Sequence, residues 1–299
     1  MNLKIWIDAA RLRTLPLSTA GIIVGSSLAL GQSDMNFNWS LFALLMVTTI
    51  ALQVLGNFAD DLGDFQHGAD NDDRVGPQRA VQSGVLTIDK MKKGIAAMAI
   101  FAFTIGIIML IVAFGLNVQF AVFLAIGIAA IIAAIRYTVG RNPFGYRGLG
   151  DFMVLIFFGL ATVVGSYYIL AKQLSAEVWL LGLALGFLSM GVLNVNNLRD
   201  SENDKQTGKR TLIVKFGVPF GKTYHFIICI SGIAIFIYCI LRHCSPMALL
   251  WIAVPTALLV AHGIRVLRCA DVKTLDPELK KLSLTTFLMS ILFAVAIVL

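Results

Sequence analysis

The sequence predicts an all-α polytopic membrane protein with nine transmembrane helices around a central cavity. Of its 299 residues, 58% are hydrophobic and only 14% are charged, whereas a typical soluble protein has about 25% charged residues. A membrane-spanning helix needs about 20 mostly apolar residues, and stretches of that kind recur along the whole chain. We therefore expect one transmembrane domain over residues 1–299.

The nine expected membrane segments are continuous apolar stretches separated by polar loops. The third and fourth segments almost touch, which predicts a tight hairpin at residues 115–119. The expected segments are residues 14–31, 39–60, 94–115, 119–136, 151–171, 178–198, 224–241, 247–267 and 282–299.

The basic residues predict the orientation of the chain. All but Lys172 and Arg242 of the 24 lysines and arginines lie before the first segment or near the loops after the second, fourth, sixth and eighth. Such loops stay in the cytoplasm, so we expect a multi-pass protein of the inner (cytoplasmic) membrane with a cytoplasmic N-terminus and Leu299 outside. Although the net charge is +7, no basic stripe interleaved with aromatic residues indicates nucleic-acid binding.

Two aspartate-rich stretches, residues 56–84 and 194–211, carry the candidate functional residues. They follow the second and sixth segments, so the predicted topology places both on the cytoplasmic side. Each has an asparagine followed by aspartates three and seven residues later, a spacing that puts the three on one side of a helix. We expect them to form two halves of one site, built on Asn57, Asp60 and Asp64 and on Asn197, Asp200 and Asp204.

The density of carboxylates predicts a magnesium site. Neighbouring carboxylates repel one another unless cations neutralise them. Magnesium prefers oxygen ligands and often binds one or two carboxylates together with substrate phosphates. We expect two Mg²⁺ ions, bridged by a diphosphate, between two acidic rims whose metal ligands are Asp60, Asp61, Asp64, Asp200 and Asp204.

Polar and basic residues around these rims are candidates for diphosphate binding. Arginine suits phosphate oxygens because its guanidinium donates paired hydrogen bonds. The alternative is that the basic residues are ordinary cytoplasmic anchors. Glycines and prolines in the same loops predict shaped caps over the cavity that exclude water. The candidates are Asn57, Arg74, Arg79, Arg141, Arg147, Asn197, Lys209 and Arg210.

The two stretches resemble the paired motifs of UbiA-type intramembrane prenyltransferases. The first, NFADDLGD, is similar to the family's N-D-x-x-D motif, and the second, NNLRDSEND, to its D-x-x-x-D motif. The segment GADNDDRVGPQRAVQSG further resembles the branch that prenylates 1,4-dihydroxy-2-naphthoate. The resemblance covers essentially the whole chain, including the nine-span plan. Asp60 departs from the pattern, since the family usually has an asparagine there, and its role is open.

The resemblance implies an enzyme that transfers a polyprenyl group from polyprenyl diphosphate to 1,4-dihydroxy-2-naphthoate within menaquinone biosynthesis. Diphosphate and CO₂ would be released and demethylmenaquinone formed. Asp61, Asp64, Asp200 and Asp204 match the catalytic metal-binding acids of the motifs. Tyr137 and Arg141 resemble a family tyrosine followed by a basic residue, usually lysine. No motif identifies acceptor-binding residues, the prenyl chain length or the oligomeric state.

Two other functions are compatible with parts of the sequence. Another UbiA-type aromatic prenyltransferase, acting on 4-hydroxybenzoate or a similar acceptor, would share the paired motifs. An ion-coupled transporter would also contain membrane aspartates, but transporters usually place them near the midplane in broken helices. In this sequence the aspartates follow the apolar segments and are accompanied by basic loops, which favours the enzyme.

Overall fold

A computed structural model describes residues 3–32, 37–72 and 74–299, and the described residues fold into a bundle of helices. Each of the nine predicted segments forms a helix. The helices are α1 Leu3–Ala9, α2 Leu15–Leu30, α3 Trp39–Gln66, α4 Ile88–Phe114, α5 Val118–Arg136, α6 Gly150–Ala171, α7 Ala176–Arg199, α8 Ser201–Gln206, α9 Leu212–Phe216, α10 Val218–His243, α11 Leu249–Arg268 and α12 Asp276–Val298.

Eight helical segments of the described residues are long and apolar enough to cross a membrane, namely α3 to α7 and α10 to α12. The first predicted segment forms α2, which has 16 residues and is therefore about 24 Å long. It begins near Asn57, whose amide donates to the hydroxyl of Thr14. At its far end, Gly31 lies against Ile297. Helix α2 thus runs alongside α12 despite its short length.

The predicted hairpin joins α4 and α5. Helix α4 ends at Phe114, and Gly115 continues with φ of +66°, a conformation that glycine adopts without strain. Asn117 then caps α5, since its side chain accepts a hydrogen bond from the backbone N–H of Phe120 at 2.9 Å. None of the most apolar stretch of α5 is buried inside the protein, because one side of this helix lines a cavity and the rest of its surface faces outward.

Small residues bring α6 and α7 close together. A π-helical turn at Leu155–Leu160 interrupts α6, and a Cβ added to Gly159 within it would lie 2.4 Å from the carbonyl oxygen of Gly182 on α7. Small residues allow such close approach in membrane helices. The interruption places Phe157 and Phe158 on the cavity wall, so the local irregularity shapes the interior.

Three loops cover the end of the bundle where both aspartate-rich stretches lie. They comprise residues 67–72 with 74–87, residues 137–149, and residues 200–217, which include α8 and α9. The amide of Asn203 donates to the carbonyl oxygen of Ala69 at 2.8 Å and accepts from Asn71 at 2.8 Å. The backbone N–H of Arg210 donates to the carbonyl oxygen of Tyr146 at 3.1 Å. These contacts join the loops into one cap, as the glycine and proline pattern predicts.

Candidate active site

A cavity of about 2060 Å³ opens between the N-terminal segment and helices α2 to α7 and α12. Its walls along α4 and α5 are apolar and include Phe103, Ile107, Phe123 and Ile126. Its capped end is lined by carboxylates, amides and basic side chains from both aspartate-rich stretches. The cavity therefore suits a molecule with a long apolar part and a strongly polar end.

The first motif occupies the last two turns of α3. Asp64 is buried, and its carboxylate accepts hydrogen bonds from Arg79 at 2.8 Å and from the phenol of Tyr146 at 2.9 Å. Asp60, one turn earlier, is more exposed and lies 3.6 Å from the guanidinium of Arg11. Both carboxylates line the cavity, as their helical spacing predicts.

Asp61 points away from this pair toward the loop that carries Arg79. Its two carboxylate oxygens accept the backbone N–H groups of Ala80 and Val81, each at 3.1 Å. Hydrogen bonds from backbone N–H groups to a carboxylate are stronger than those between neutral groups. Asp61 thus anchors the loop to α3, and its predicted metal ligation stays a prediction.

We expect Asp61→Asn to lower the thermal unfolding midpoint of the purified protein by several degrees. An amide has one acceptor oxygen, so one backbone N–H of residues 80–81 would face the NH₂ group and lose its bond. A buried donor without a partner costs about 1–3 kcal/mol. Asp89→Asn, which changes an exposed acid on α4, is the matched control. An unchanged midpoint in Asp61→Asn would contradict the anchoring role.

Asn57 also has a local structural role. Its amide donates to the carbonyl oxygen of Ala10 at 2.8 Å and to the hydroxyl of Thr14 at 2.9 Å. These bonds fix the N-terminal segment against α3. Arg11 is thereby held beside Asp60, a basic residue of the site that the sequence analysis did not select.

Two arginines of the first stretch meet at Asp70. The carboxylate of Asp70 lies 3.2 Å from Arg74 and 3.1 Å from Arg79. Arg79 also contacts Asp64, so one guanidinium joins the loop to the motif. Both arginines line the cavity, in agreement with their predicted position.

The second motif lies where α7 ends and α8 begins. Arg199 donates two hydrogen bonds to the carboxylate of Asp200, at 2.8 and 2.6 Å, and a further one to Asp276 on α12. Arg199 is almost fully buried at 2% exposure, so its orientation is fixed. Asp200 and Asn197 line the cavity beside it.

Lys209 connects the two motifs. Its ammonium lies 3.6 Å from Asp64 and 4.0 Å from Asp204, and it stands 5.3 Å above the ring of Tyr146. Burial alone would lower the pKa of Lys209, but Asp64 and Asp204 raise it above its ordinary value. A permanent positive charge therefore lies between the two acidic rims.

Asp204 carries a carboxylate that the described residues do not fully satisfy. It is 2% exposed, and its Oδ2 has no hydrogen-bond partner among them. Burial raises the pKa of Asp204 to about 7, an effect that Lys209 partly opposes. Near neutral pH both the protonated and the ionised form of this side chain are therefore populated.

The raised pKa of Asp204 predicts a pH-dependent stability. Between pH 6 and 8 the unfolded chain has this carboxyl ionised, whereas the folded protein releases its proton, so stability falls as pH rises. The loss is about 1.4 kcal/mol over this range. In EDTA, the stability of the wild type relative to Asp204→Asn is expected to decrease from pH 6 to 8. A difference that is constant or increases with pH would contradict the raised pKa.

The residues at the capped end fit a bound magnesium ion. Among the described residues no three acidic, histidine or cysteine side chains converge on one point, so the protein by itself provides an incomplete ligand set. Magnesium commonly completes its coordination with phosphate oxygens and water. The unpartnered Oδ2 of Asp204 is a hard oxygen donor of the kind that magnesium binds.

Three predicted diphosphate-binding residues lie elsewhere. Arg141, Arg147 and Arg210 are exposed on the cap, and none of them lines the cavity. Conversely, the sequence analysis did not select Arg11, Arg199, Asn203 or Tyr146 as site residues. Arg199 could have been selected from the sequence, because it directly precedes Asp200 in the second motif. The separation of Tyr146 and Asp64 by 82 positions gives no comparable signal.

Comparisons with known proteins agree with this architecture. The UbiA prenyltransferase family profile matches residues 19–297. A 1,4-dihydroxy-2-naphthoate octaprenyltransferase of Haemophilus influenzae is 38% identical over 99% of this chain and 96% of its own length. The Escherichia coli protein of the same name is 37% identical over 98% of this chain and 94% of its own length.

Two solved structures share the fold. A UbiA homologue from Aeropyrum pernix K1 superimposes with a TM-score of 0.70 at 16% identity, covering 96% of this chain and 98% of that one. A UbiA homologue from Archaeoglobus fulgidus, bound to DMAPP and Mg²⁺, gives a TM-score of 0.63 at 14% identity over the same shares. Together with the family profile and the sequence relatives, these matches show that the protein belongs to the UbiA prenyltransferase family.

Proposed function

We propose that this protein transfers a polyprenyl group from polyprenyl diphosphate to 1,4-dihydroxy-2-naphthoate. The observation that carries the proposal is the joining of two acidic motifs through Lys209 at the polar end of a large, otherwise apolar cavity. The names of the bacterial relatives supply the acceptor and the polyprenyl donor. The product belongs to menaquinone biosynthesis.

The polar end of the cavity would hold the diphosphate. Asp60, Asp64, Asp200 and Asp204 would bind two Mg²⁺ ions, which supply positive charge that neutralises the departing diphosphate. Lys209 and the guanidinium groups of the cavity would bind the remaining phosphate oxygens. Of the predicted arginines, Arg74 and Arg79 line the cavity, and Arg11 lines it as well.

The chemistry exchanges one bond for another at the prenyl C1 atom. The C1–O bond breaks, and its electron pair leaves with the diphosphate. The ring carbon that bears the carboxylate then bonds to C1, and CO₂ departs while its electron pair stays in the ring. The immediate product is the quinol of demethylmenaquinone, which an external electron acceptor oxidises.

The protein would protect this reaction from water. An allylic cation is hydrolysed if water reaches it, so the site must be enclosed. The cap formed by the three segments covers the polar end, and the Asn203 and Arg210 contacts hold the segments together. The apolar walls along α4 and α5 would receive the prenyl chain.

We further infer the orientation of the protein in the inner membrane. The N-terminal segment, both acidic motifs and the start of α12 meet at the capped end through Asn57, Lys209 and Asp276. The excess of basic residues near this end supports a cytoplasmic location. The C-terminal residue Leu299 would then lie on the opposite side of the bilayer.

A turnover assay tests the proposed function. Purified protein in detergent with Mg²⁺, a long polyprenyl diphosphate and 1,4-dihydroxy-2-naphthoate should release diphosphate and CO₂ in equal amounts, and EDTA should stop both. Prenylation of 4-hydroxybenzoate with no reaction of the naphthoate would assign the protein to a different acceptor. Absence of prenyl transfer to either acid would contradict the enzyme assignment.

A further inference from the structure

Two buried serines line the cavity without a hydrogen-bond partner. Ser189 on α7 is 1% exposed and Ser283 on α12 is 4% exposed. Neither hydroxyl oxygen has a partner among the described residues, although both residues line the cavity. Burying a hydroxyl without a partner is unfavourable. A ligand in the cavity would supply either hydroxyl with its missing partner.

The two serines lie on sides of their helices that carry further polar residues toward the capped end. On α12, Lys280 precedes Ser283 by one turn, so the two side chains are neighbours. On α7, Asn196 follows Ser189 by seven residues and lies on the same face, about 10 Å further along the axis. The faces meet where Arg199 of α7 contacts Asp276 of α12. Polar positions thus extend from the second acidic motif into the cavity, with the apolar Val192 and Leu193 between Asn196 and Ser189 on α7.

Lys280 is a cation without an ion-pair partner among the described residues. It is exposed and lines the cavity. The adjacent Lys281, in contrast, lies 2.7 Å from Glu278. Lys280 is therefore free to bind a carboxylate that enters beside the first turns of α12.

The cavity wall opposite these faces has a different character. Along α4 and α5 it consists of apolar side chains such as Phe103, Ile107 and Phe123. An apolar chain would be favoured there, whereas hydroxyl and carboxylate groups would lose hydrogen bonds. The two substrates are thereby assigned to different walls.

We propose that the α7–α12 face binds the aromatic acceptor, an inference that rests on the proposed function. Ser189 and Ser283 hydrogen-bond the ring hydroxyls, and Lys280 binds the carboxylate. This arrangement selects a hydroxylated aromatic acid. It also holds the acceptor next to the second acidic motif, where the prenyl diphosphate binds.

Binding measurements with matched ligands test the pocket. Anaerobic titrations, with no prenyl diphosphate present, compare 1,4-dihydroxy-2-naphthoate with naphthalene-1,4-diol, which lacks the carboxylate, and with 2-naphthoate, which lacks the hydroxyls. Lys280→Gln should raise the Kd of the dihydroxynaphthoate about tenfold and leave that of the diol within about twofold. Ser189→Ala and Ser283→Ala should each raise the Kd of the dihydroxynaphthoate about fivefold. Both variants should leave the Kd of 2-naphthoate within about twofold.

The controls separate this pocket from general effects on the fold. Ser290 is buried on α12, donates to the carbonyl oxygen of Thr286 and does not line the cavity, so Ser290→Ala should bind all three ligands as the wild type does. Unchanged affinities in the three pocket variants, or equal losses for the ligand that lacks the matching group, would overturn the pocket. A wild type that neither binds nor prenylates the dihydroxynaphthoate would instead contradict the proposed function.

Discussion

Replacing Asp64 by asparagine is expected to lower kcat/KM for the polyprenyl diphosphate by about 10³-fold. Asp64 is the point where the first motif, Tyr146 and Lys209 meet. The amide keeps the size of the side chain and can still accept the hydrogen bond from the phenol. It lacks the negative charge that a divalent cation requires. Initial rates of diphosphate release over a range of Mg²⁺ concentrations measure the effect.

Asp89→Asn is the matched control for Asp64→Asn. Asp89 is an exposed acid at the first turn of α4, outside the cavity lining. This variant should retain wild-type rates, and both variants should elute as the wild type does on size exclusion in detergent. If Asp64→Asn retained more than about one tenth of wild-type activity, Asp64 would not be a metal-binding residue.

Replacing Lys209 by methionine is expected to lower kcat/KM by about 100-fold. In the wild type its ammonium separates Asp64 from Asp204, and it lies where the diphosphate would bind. Methionine preserves much of the apolar stem but removes the charge. Losing one donor that stabilises developing negative charge costs about 10²–10³ in rate. Steady-state kinetics at saturating Mg²⁺ measure this loss.

Two further variants test whether the loss in Lys209→Met comes from the charge at this position. One keeps the charge at residue 209, and the other removes a neighbouring lysine. Lys209→Arg should recover most of the activity because the positive charge remains, although the guanidinium has a different shape. Lys205→Met changes an exposed lysine on α8 and should behave as the wild type. Equal losses in Lys209→Met and Lys209→Arg would contradict a role for the charge itself.

Apolar periodicity and length predict most of the fold. All nine expected segments form helices, and the hairpin at residues 115–119 is confirmed by the end of α4 and the start of α5. Helix α3 extends beyond its apolar stretch to Gln66. The polar side chains of its last turns form hydrogen bonds with the cap and so do not need to face lipid. The π-helical turn in α6 depends on close packing against α7, which hydropathy does not describe.

The predicted topology and the helical spacing together predict the meeting of the two acidic motifs. Asp60 and Asp64 share one side of α3, and Lys209 reaches across from the second stretch. Asp61 shows the limit of the motif, since the adjacent position on a helix points about 100° away. It lines the cavity while both of its carboxylate oxygens accept backbone N–H groups of the loop at residues 80–81.

The direction of loop side chains could not be predicted from the sequence. Gly140 and Gly148 have φ values of +107° and +78°, and these turns leave Arg141 and Arg147 on the outer surface of the cap. A count of basic residues in a loop includes both those facing the site and those facing solvent. The contact between Tyr146 and Asp64 similarly depends on how the cap folds over α3.

The central claim is that both acidic motifs hold one diphosphate while the prenyl chain follows the apolar wall. An experimental structure with Mg²⁺ and a prenyl thiolodiphosphate, whose leaving group departs slowly, tests this most directly. The account predicts diphosphate density between Asp64 and Asp204, metal ions contacting carboxylates of both motifs, and the chain along α4 and α5. Metal ions bound by only one motif, or a chain lying against Ser189 and Ser283, would contradict it.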